Sequence, residues 1–442
     1  MNHLDRLSDL IAHARAAGAD AADAVLVAGT SLSVARRLGK TEHVERSEGQ
    51  DLGLRVFIGK QAAIVSATSI DPTGFAALAE RAVAMAKVVP EDPYAGLAET
   101  AAPPDTQDLD MADPTEPSAE DLVARAAAAE DAALSVAGIT NSEGADAGFS
   151  RGEIYLVTSA GFAGHRAGTS HSVSATALAG EGTGMQRDYD YDSKVYLADL
   201  DDPAAIGRSA ANRTLARLNP TRPKTAKLPV VYDPRVATSL IGSLMGAING
   251  ASVARGTSFL KEKLGQKIFA SGIFIHDDPR RVRGPRSRVF DGEGTPTKAR
   301  ALIEDGVLTT WLLDSRSARQ LGMVSTGHAA RGTSGPPSPS ATNLWLAAGT
   351  MTPDELMADI KLGLYITEMM GGGVNGVTGD YSRGAAGFLI RDGKLAEPVA
   401  EITIAGHAIE MFANMTPAND LVFRRGTDSP TVRVEGLTMA GA

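Results

Sequence analysis

The segment 371–406 holds the densest group of side chains that could do chemistry. A glycine-rich run over 371–379 leads into Asp380-Tyr381-Ser382-Arg383, and an alternating strand follows up to Ile404. Ser382 could act as a nucleophile if a base lay within hydrogen-bond reach, and His407 is the nearest candidate base in the sequence. Alternatively, Asp380 and Arg383 could brace the glycine-rich turn and offer polar groups to an extended peptide. Both interpretations stay open.

A phosphate cradle is excluded at the same segment. A P-loop needs Gly-Lys-Ser/Thr at the start of a helix, whereas the glycine run here continues into Asp380-Tyr381. An acidic residue at that point would repel a phosphate group. We therefore expect no nucleotide cofactor.

The chain also lacks the usual ligands of a zinc hydrolase. Such enzymes place two His on one helix beside a general-base Glu, with a third protein ligand from elsewhere. This chain has no cysteine, and no His is followed directly by Glu. The pair His165 and His171, and His276 before two Asp, are weak metal candidates, and His328 and His407 are more typical of hydrogen-bonded structural histidines.

Hydrophobic periodicity predicts an α+β fold. Residues 1–218 are expected to form an N-terminal α/β domain of two related halves, each reading helix, strands, helix. A Pro-rich acidic segment, 90–118, is expected to be a surface linker, and 219–229 a linker before a strand-rich C-terminal domain, 230–442. The strand-like runs of the first domain lie at 24–27, 32–38, 52–58, 61–67, 147–149, 154–159, 161–166 and 172–178.

Two helices are predicted in the C-terminal domain. One begins after Asp233-Pro234 and ends at Asn249-Gly250. The other begins at the capping box Thr352–Glu355 and is expected to continue to Gly371.

Composition limits the partners. A net charge of −10 argues against nucleic acid or an anionic membrane surface as the main partner. No run approaches the roughly 20 apolar residues that a membrane span needs. The N-terminal residues lack the uninterrupted apolar core of a signal peptide. We therefore expect a cytoplasmic protein.

Several motifs make the chain resemble the TldD/PmbA family, and its PmbA (TldE) branch in particular. They are RSRVFDGEGTPTKARALIEDG, STGHAARG, TGDYSRGAAGF and EITIAG, all within 286–410. The resemblance spans nearly the whole chain. It implies a partner subunit of a TldD-type zinc peptidase that acts on unfolded proteins or peptide precursors. Family members are also described as modulators of DNA gyrase.

In the TldD branch the helix that opens the C-terminal domain carries His-Glu-x-x-x-His, and a Cys follows later. The downstream Arg255–Ser258 segment sets a register that places Ile241, Gly242 and Gly246 at the corresponding positions. None of the three can bind a cation or abstract a proton. The resemblance therefore implies a non-catalytic subunit with no catalytic, cofactor or metal residue of its own, and zinc in the TldD-type partner.

Candidate contacts to a peptide or to the partner are Asp380, Tyr381, Ser382, Arg383, His328 and His407. Two rival interpretations remain. The chain could be a metal-independent hydrolase that uses Ser382, or a homodimeric peptide-binding or assembly module.

Overall fold

The N-terminal half is a six-stranded sheet with helices on one face. A computed structural model describes residues 2–99 and 107–442. The strand order is β3-β2-β1-β4-β5-β6, and every neighbouring pair is antiparallel. The elements are α1 His3–Ala16, β1 Ala21–Arg37, β2 Lys40–Ile58, β3 Gln61–Ala67, α2 Phe75–Ala86, α3 Ala119–Leu134, β4 Ile139–Thr158, β5 Ala163–Ala179, β6 Gln186–Lys194 and α4 Pro203–Ala216.

Two packed units repeat helix, three strands, helix, which confirms the predicted order. Helices α1 and α2 bury a core against β1–β3 that includes Leu10, Leu54 and Phe75. Helices α3 and α4 bury a second core that includes Leu122 and Val173. Alternate strand residues face these helices, because successive side chains of a strand point to opposite faces.

The strands are longer than the apolar runs predicted. The runs 24–27 and 32–38 belong to one strand, β1, and β4 and β5 each join two predicted runs. Gly29 interrupts the apolar pattern of β1, and Gly152 interrupts that of β4. Both remain hydrogen-bonded in the sheet, since pairing uses the backbone and not the side chain. Strand β6 was not predicted.

A row of glycines crosses this sheet. Gly29 lies opposite Gly49 on β2 and Gly152 on β4, and Gly152 lies opposite Gly168 on β5. Gly29, Gly49 and Gly152 are exposed on the face away from the helices. Beside this row, β3 pairs only with Leu52–Ile58 of β2, so residues 40–51 keep one unpaired edge among the described part of the chain.

The C-terminal half is built around a strand-rich closed sheet. Its order is β16-β15-β14-β7-β19-β17, and an additional β16–β19 pairing closes a barrel. A smaller sheet, β10-β9-β8-β13-β18, packs beside it. The elements are β7 Ala226–Tyr232, α5 Pro234–Ala247, α6 Gly250–Ala254, β8 Ile275–Asp277, β9 Arg300–Glu304, β10 Val307–Leu308, α7 Ser315–Gln320, β11 Ala329–Ala330, β12 Ser338–Pro339, β13 Leu344–Leu346, α8 Pro353–Met357, β14 Leu362–Val374, β15 Asp380–Arg391, β16 Lys394–His407, α9 Ala408–Ala413, β17 Met415–Pro417, β18 Thr427–Asp428 and β19 Val432–Ala440.

The fold class is therefore α+β, as predicted. The prediction that a second C-terminal helix continues to Gly371 is wrong. The capping box at Thr352 forms, yet α8 ends at Met357. The residues from Leu362 onward instead form β14, in register with both β7 and β15. Barrel closure outweighs the helical spacing of the apolar residues, because tertiary pairing overrides local propensity. In the described ranges, no helix is long and apolar enough to cross a membrane.

The acidic segment between α2 and α3 lies across both halves. Its described residues, 90–99 and 107–118, contain no helix or strand. Asp92 pairs with Arg316 at 2.6 Å, and Asp110 pairs with Arg283 at 2.6 Å. These ion pairs tie the segment to the C-terminal half. The predicted linker residues 100–106 lie outside the described residues.

Candidate functional site

Helix α5 presents two different faces. The carboxylate of Asp233 accepts a hydrogen bond from the backbone N–H of Arg235 at 2.9 Å, which caps the helix start. One face of α5 packs its buried side chains into the barrel core; these are Ala237, Leu240, Ile241, Leu244 and Ala247. On the other face Gly242 and Gly246 are exposed, and a Cβ at either position would have no atom within 4 Å. The solvent-facing stripe of α5 is therefore bare backbone.

The residues of α5 do not fit a zinc ion. Zinc needs donor atoms from Cys, His, Asp or Glu. Ile241 is 2% exposed and points into the core, whereas Gly242 and Gly246 point outward and carry no side chain. In the described part of the chain, no group of three or more His, Cys, Asp or Glu residues could hold a metal ion. No step of a metal mechanism can be assigned to α5.

The hairpin between β14 and β15 is anchored beside the end of α5. The backbone N–H of Phe259 donates to the carbonyl of Gly376 at 2.8 Å. The Ser258 hydroxyl donates to the carbonyl of Ala247, in the last turn of α5, at 2.5 Å. The side chain of Asn375 accepts from the backbone N–H of Val377 at 2.9 Å, which shapes the turn. The glycine-rich hairpin and α5 thus form one surface region.

The glycine run is a bulge inside β14. The pairing register shifts between Met370 and Gly373, where Gly371 and Gly372 adopt φ angles of 57° and 51°. A side chain at Gly372 would collide with the carbonyl oxygen of Ser382. Positive φ and the close backbone approach together explain why glycine is needed here.

The Asp380–Arg383 residues lie on two faces of β15. Asp380 and Ser382 are exposed, whereas Tyr381 is 3% exposed and packs into the barrel core. Arg383 donates to the carbonyl of Gly371 at 3.1 Å, so it braces the glycine bulge as predicted. Asp380 accepts from the Thr378 hydroxyl at 2.6 Å, within the same 371–379 segment. Asp380 and Arg383 therefore contact the glycine-rich segment at two different points.

Among the described residues, no base forms a hydrogen bond to the Ser382 side chain. His407 lies opposite Asp380 in the β15–β16 register, close to Ser382. Its Nε2 lies 3.0 Å from the carbonyl oxygen of Thr378. A carbonyl only accepts, so Nε2 carries the proton and donates. Within residues 2–99 and 107–442, Ser382 has no side-chain hydrogen bond to His407. The hypothesis that Ser382 is a nucleophile therefore lacks the contact to a base that would activate the hydroxyl.

His328 is a structural histidine. It is 1% exposed, with Nε2 3.1 Å from Asp277 and Nδ1 2.8 Å from the Thr326 hydroxyl. Of the six predicted contact residues, His328 and Tyr381 lie in the interior and cannot meet a peptide directly. Asp380, Ser382, Arg383 and His407 remain at or near the surface.

The other histidines also have structural partners. His171 is buried with Nε2 3.1 Å from Asp113 of the acidic segment. His165 lies on the same strand, β5, and not on a neighbouring strand as predicted; six residues along a strand span about 20 Å. His276 stacks near Trp345, with ring centroids 5.2 Å apart.

Sequence analysis missed a buried ionic cluster between the two halves. Asp23 of β1 pairs with Arg331 at 2.6 Å and with Arg55 of β2, and Arg55 lies 3.7 Å from Glu293. Burial alone would raise the pKa of Asp23, but the Arg331 and Arg55 guanidiniums outweigh it and hold that pKa below its usual value. The sequence did contain a signal for this cluster, because Asp23 and Arg55 are charged residues within otherwise apolar strands.

Three domain profiles of one family match the chain. They are PmbA/TldA metallopeptidase domain 1 over residues 22–86, the central domain over 112–218 and the C-terminal domain over 225–441. The "Metalloprotease PmbA" of Escherichia coli O157:H7 is 37% identical, covering 96% of this chain and 92% of that protein. A "Metalloprotease PmbA homolog" of Haemophilus influenzae is 33% identical, covering 96% and 93%.

Solved structures agree on the fold. A putative modulator of DNA gyrase from Bacteroides thetaiotaomicron superposes with a TM-score of 0.90 at 26% identity, covering 99% of this chain and 98% of that one. TldE from Thermococcus kodakarensis gives a TM-score of 0.88 at 21% identity, covering 99% and 100%, and supports the fold alone. Together with the matched profiles, these likenesses confirm the resemblance seen in the sequence: the chain belongs to the PmbA/TldD family.

Proposed function

We propose that this chain is the non-catalytic subunit of a TldD/TldE-type metallopeptidase complex. The zinc would be held by a TldD-type partner, and this chain would complete the chamber around it. The substrates would be unfolded proteins or peptide precursors. We place the complex in the cytoplasm and regard any effect on DNA gyrase as indirect, because the chain is acidic.

The surface of α5 is the observation that carries this proposal. A metallopeptidase of this family would need donor side chains where this chain has Ile241, Gly242 and Gly246. The two glycines leave an open stripe next to the hairpin, and Ile241 belongs to the core. Such a surface can line a chamber but cannot supply the ligands or the general base.

Strand edges support the peptide part of the proposal. An extended peptide can add to a sheet edge through main-chain hydrogen bonds. Residues 40–51 of β2 offer such an edge, and Asp380 and Ser382 offer exposed polar groups on β15. The hairpin lies beside α5, so a peptide bound there would run past the bare stripe.

Reconstitution tests the proposal. This chain would be co-expressed with a TldD-type chain that contains His-Glu-x-x-x-His, and each chain and the pair would be assayed with an unstructured peptide. We expect a stable complex, cleavage by the pair, and no cleavage or stoichiometric zinc with this chain alone. Zinc bound tightly to the isolated chain, or cleavage by it, would refute the assignment.

The rivals predict different outcomes. A Ser382 hydrolase would cleave without a partner and in the presence of a chelator. A homodimeric binding or assembly module would form a dimer in light scattering and would not bind the TldD-type chain.

A further inference from the structure

A cavity of about 810 Å³ lies between the N-terminal sheet and the C-terminal half, away from α5. The outer face of β4 and β5 forms its floor, the acidic segment 107–112 one wall, and the loop 285–289 the other. A smaller cavity continues from it and shares Ile154, Arg166 and Arg288. The volume of the larger cavity falls in the range of small-ligand pockets, about 300–1,000 Å³.

Among the residues that the structure describes, no carboxylate lies within ion-pair distance of two guanidinium groups in this cavity. In the described ranges, Arg166 of β5 makes no ion pair and no side-chain hydrogen bond. Within the same described residues, the Arg288 guanidinium makes one long contact, of 3.5 Å to the Ser340 carbonyl, and its buried Nε has no hydrogen-bond partner. Deeper in the cavity, Arg331 is 1% exposed and pairs with Asp23, yet its Nη2 is also unpartnered.

The nearby acidic groups are already engaged. Asp291, which lines the smaller cavity, accepts hydrogen bonds from the backbone N–H groups of Glu293, Thr295 and Ala329 at 2.9, 2.9 and 3.0 Å. At the rim, Asp110 binds Arg283 at 2.6 Å. The donors of Arg166 and Arg288 therefore stay available inside the cavity.

The electrostatics agree with this geometry. Burial, together with the positive charge of Arg288, lowers the pKa of Arg166 to about 10, so Arg166 stays cationic at neutral pH. Burial also lowers the pKa of Arg288. The negative charge of Asp291 offsets part of this effect, but in the described ranges Asp291 makes no ion pair with either arginine. Two half-buried like charges without a directly paired carboxylate cost stability, and such arrangements are typical of sites where a ligand supplies the missing charge.

We propose that this cavity binds the carboxylate of a peptide or of a small organic acid, held by Arg166 and Arg288. The planar guanidinium fork matches a carboxylate with two parallel hydrogen bonds. A doubly charged phosphate is less suitable, because the rim carries Asp108, Asp110 and Glu153. The site goes beyond the proposed subunit role, since it lies within this chain and needs no partner.

Calorimetry on the isolated chain tests the site with matched probes. These are an N-acetylated tri-alanine peptide with a free C-terminal carboxylate, its C-terminal amide, the amide with a central Glu, and inorganic phosphate. We expect the free acid to bind at least about tenfold more tightly than the simple amide, as loss of a charge-assisted contact implies. Tighter binding by the Glu-containing amide would identify a side-chain carboxylate as the source. Equal binding of acid and simple amide, no binding of either acid, or tighter binding of phosphate would overturn the proposal.

Variants separate binding from folding. Arg166→Gln and Arg288→Gln should each weaken the binding of the carboxylate probe about tenfold or more. Arg208→Gln, on the exposed face of α4, makes the same change in net charge and should leave binding unchanged. Without ligand, Arg166→Gln should melt at the wild-type temperature or above, because repulsion is relieved and no ion pair is lost. A clear fall in its melting temperature would assign Arg166 a structural role and refute the site.

Discussion

At the scale of single residues, Ser382 and Arg383 separate the subunit hypothesis from the hydrolase rival. Ser382→Ala should leave the activity of the reconstituted pair within a few-fold, because no base in the described part of the chain forms a hydrogen bond to Ser382. The rival predicts a loss of about a thousandfold or more. Peptide cleavage by the pair, measured with equal amounts of assembled complex, decides between them.

Arg383 supplies the companion measurement. Its partner is the Gly371 carbonyl and not a carboxylate, so Arg383→Ala should cost about 1 kcal/mol of stability and not the larger penalty of a broken buried ion pair. Denaturant unfolding would measure this cost. A loss of more than about 3 kcal/mol would show that Arg383 does more than brace the bulge.

Asp291 gives the fold a pH dependence of known sign. Burial and the negative charge of Glu293 raise the pKa of Asp291 to about 6. The folded state then binds a proton more tightly than the unfolded state, so this carboxyl's contribution to stability falls as pH rises from about 4 to 6 and is flat above. Arg166, Arg288 and Arg331 face the same cavity and limit the effect.

Asp291→Asn should remove that pH dependence. The Asn Oδ1 can still accept from the backbone N–H groups of Glu293 and Thr295, so the variant should fold, whereas its Nδ2 cannot accept from Ala329 at any pH. Because that loss does not depend on pH, the variant should gain stability relative to the wild type as pH rises from 4 to 6. Thermal unfolding of both proteins across this range measures the difference. A difference that does not change with pH would contradict the assignment.

At the scale of elements, the glycines of the two site segments have opposite roles. Gly372→Ala should destabilise the protein by about 1–3 kcal/mol, because φ is positive and Ser382 leaves no room. Gly242→Ala, on the open face of α5, should stabilise it by up to about 1 kcal/mol. Denaturant unfolding of both variants tests the pair, and equal effects would contradict this account.

The same elements show what the sequence could and could not predict. Caps such as Asp233-Pro234 and Thr352–Glu355 are local, so the helix starts were predicted correctly. The end of α8 and the identity of β14 were not, because barrel closure depends on pairing with β7 and β15, which are distant in sequence. The resemblance to the family set the register that placed Ile241, Gly242 and Gly246 at the ligand positions of α5, whereas the surface exposure of the two glycines needed the fold.

The cavity that contains Arg166 and Arg288 also depends on contacts between distant parts of the chain. Arg166 and Arg288 are 122 positions apart, and no local spacing links them. Three separate parts of the chain must assemble before they share a cavity. Sequence analysis therefore had no signal for this site.

At the scale of the whole molecule, the Asp23 cluster couples the two halves. Asp23→Asn leaves the Arg331 and Arg55 guanidiniums without their shared carboxylate, and breaking a buried pair typically costs about 3–5 kcal/mol. We expect a lower melting temperature in calorimetry. Asp131→Asn, on the exposed side of α3, removes a surface partner of Arg36 and should change stability by less than about 1 kcal/mol.

The row of glycines across β2, β1, β4 and β5 has a mechanical consequence. A sheet derives much of its bending stiffness from contacts between neighbouring side chains, and along this line there are none. We therefore expect the sheet to bend most easily along this row, in which Gly152 and Gly168 line the floor of the cavity that contains Arg166 and Arg288. Flexing along this row would change the width of the cavity without breaking a backbone hydrogen bond. Gly152→Val, which meets no atom within 4 Å at its Cβ, should stiffen the sheet along this row and slow amide hydrogen exchange on both sides of it.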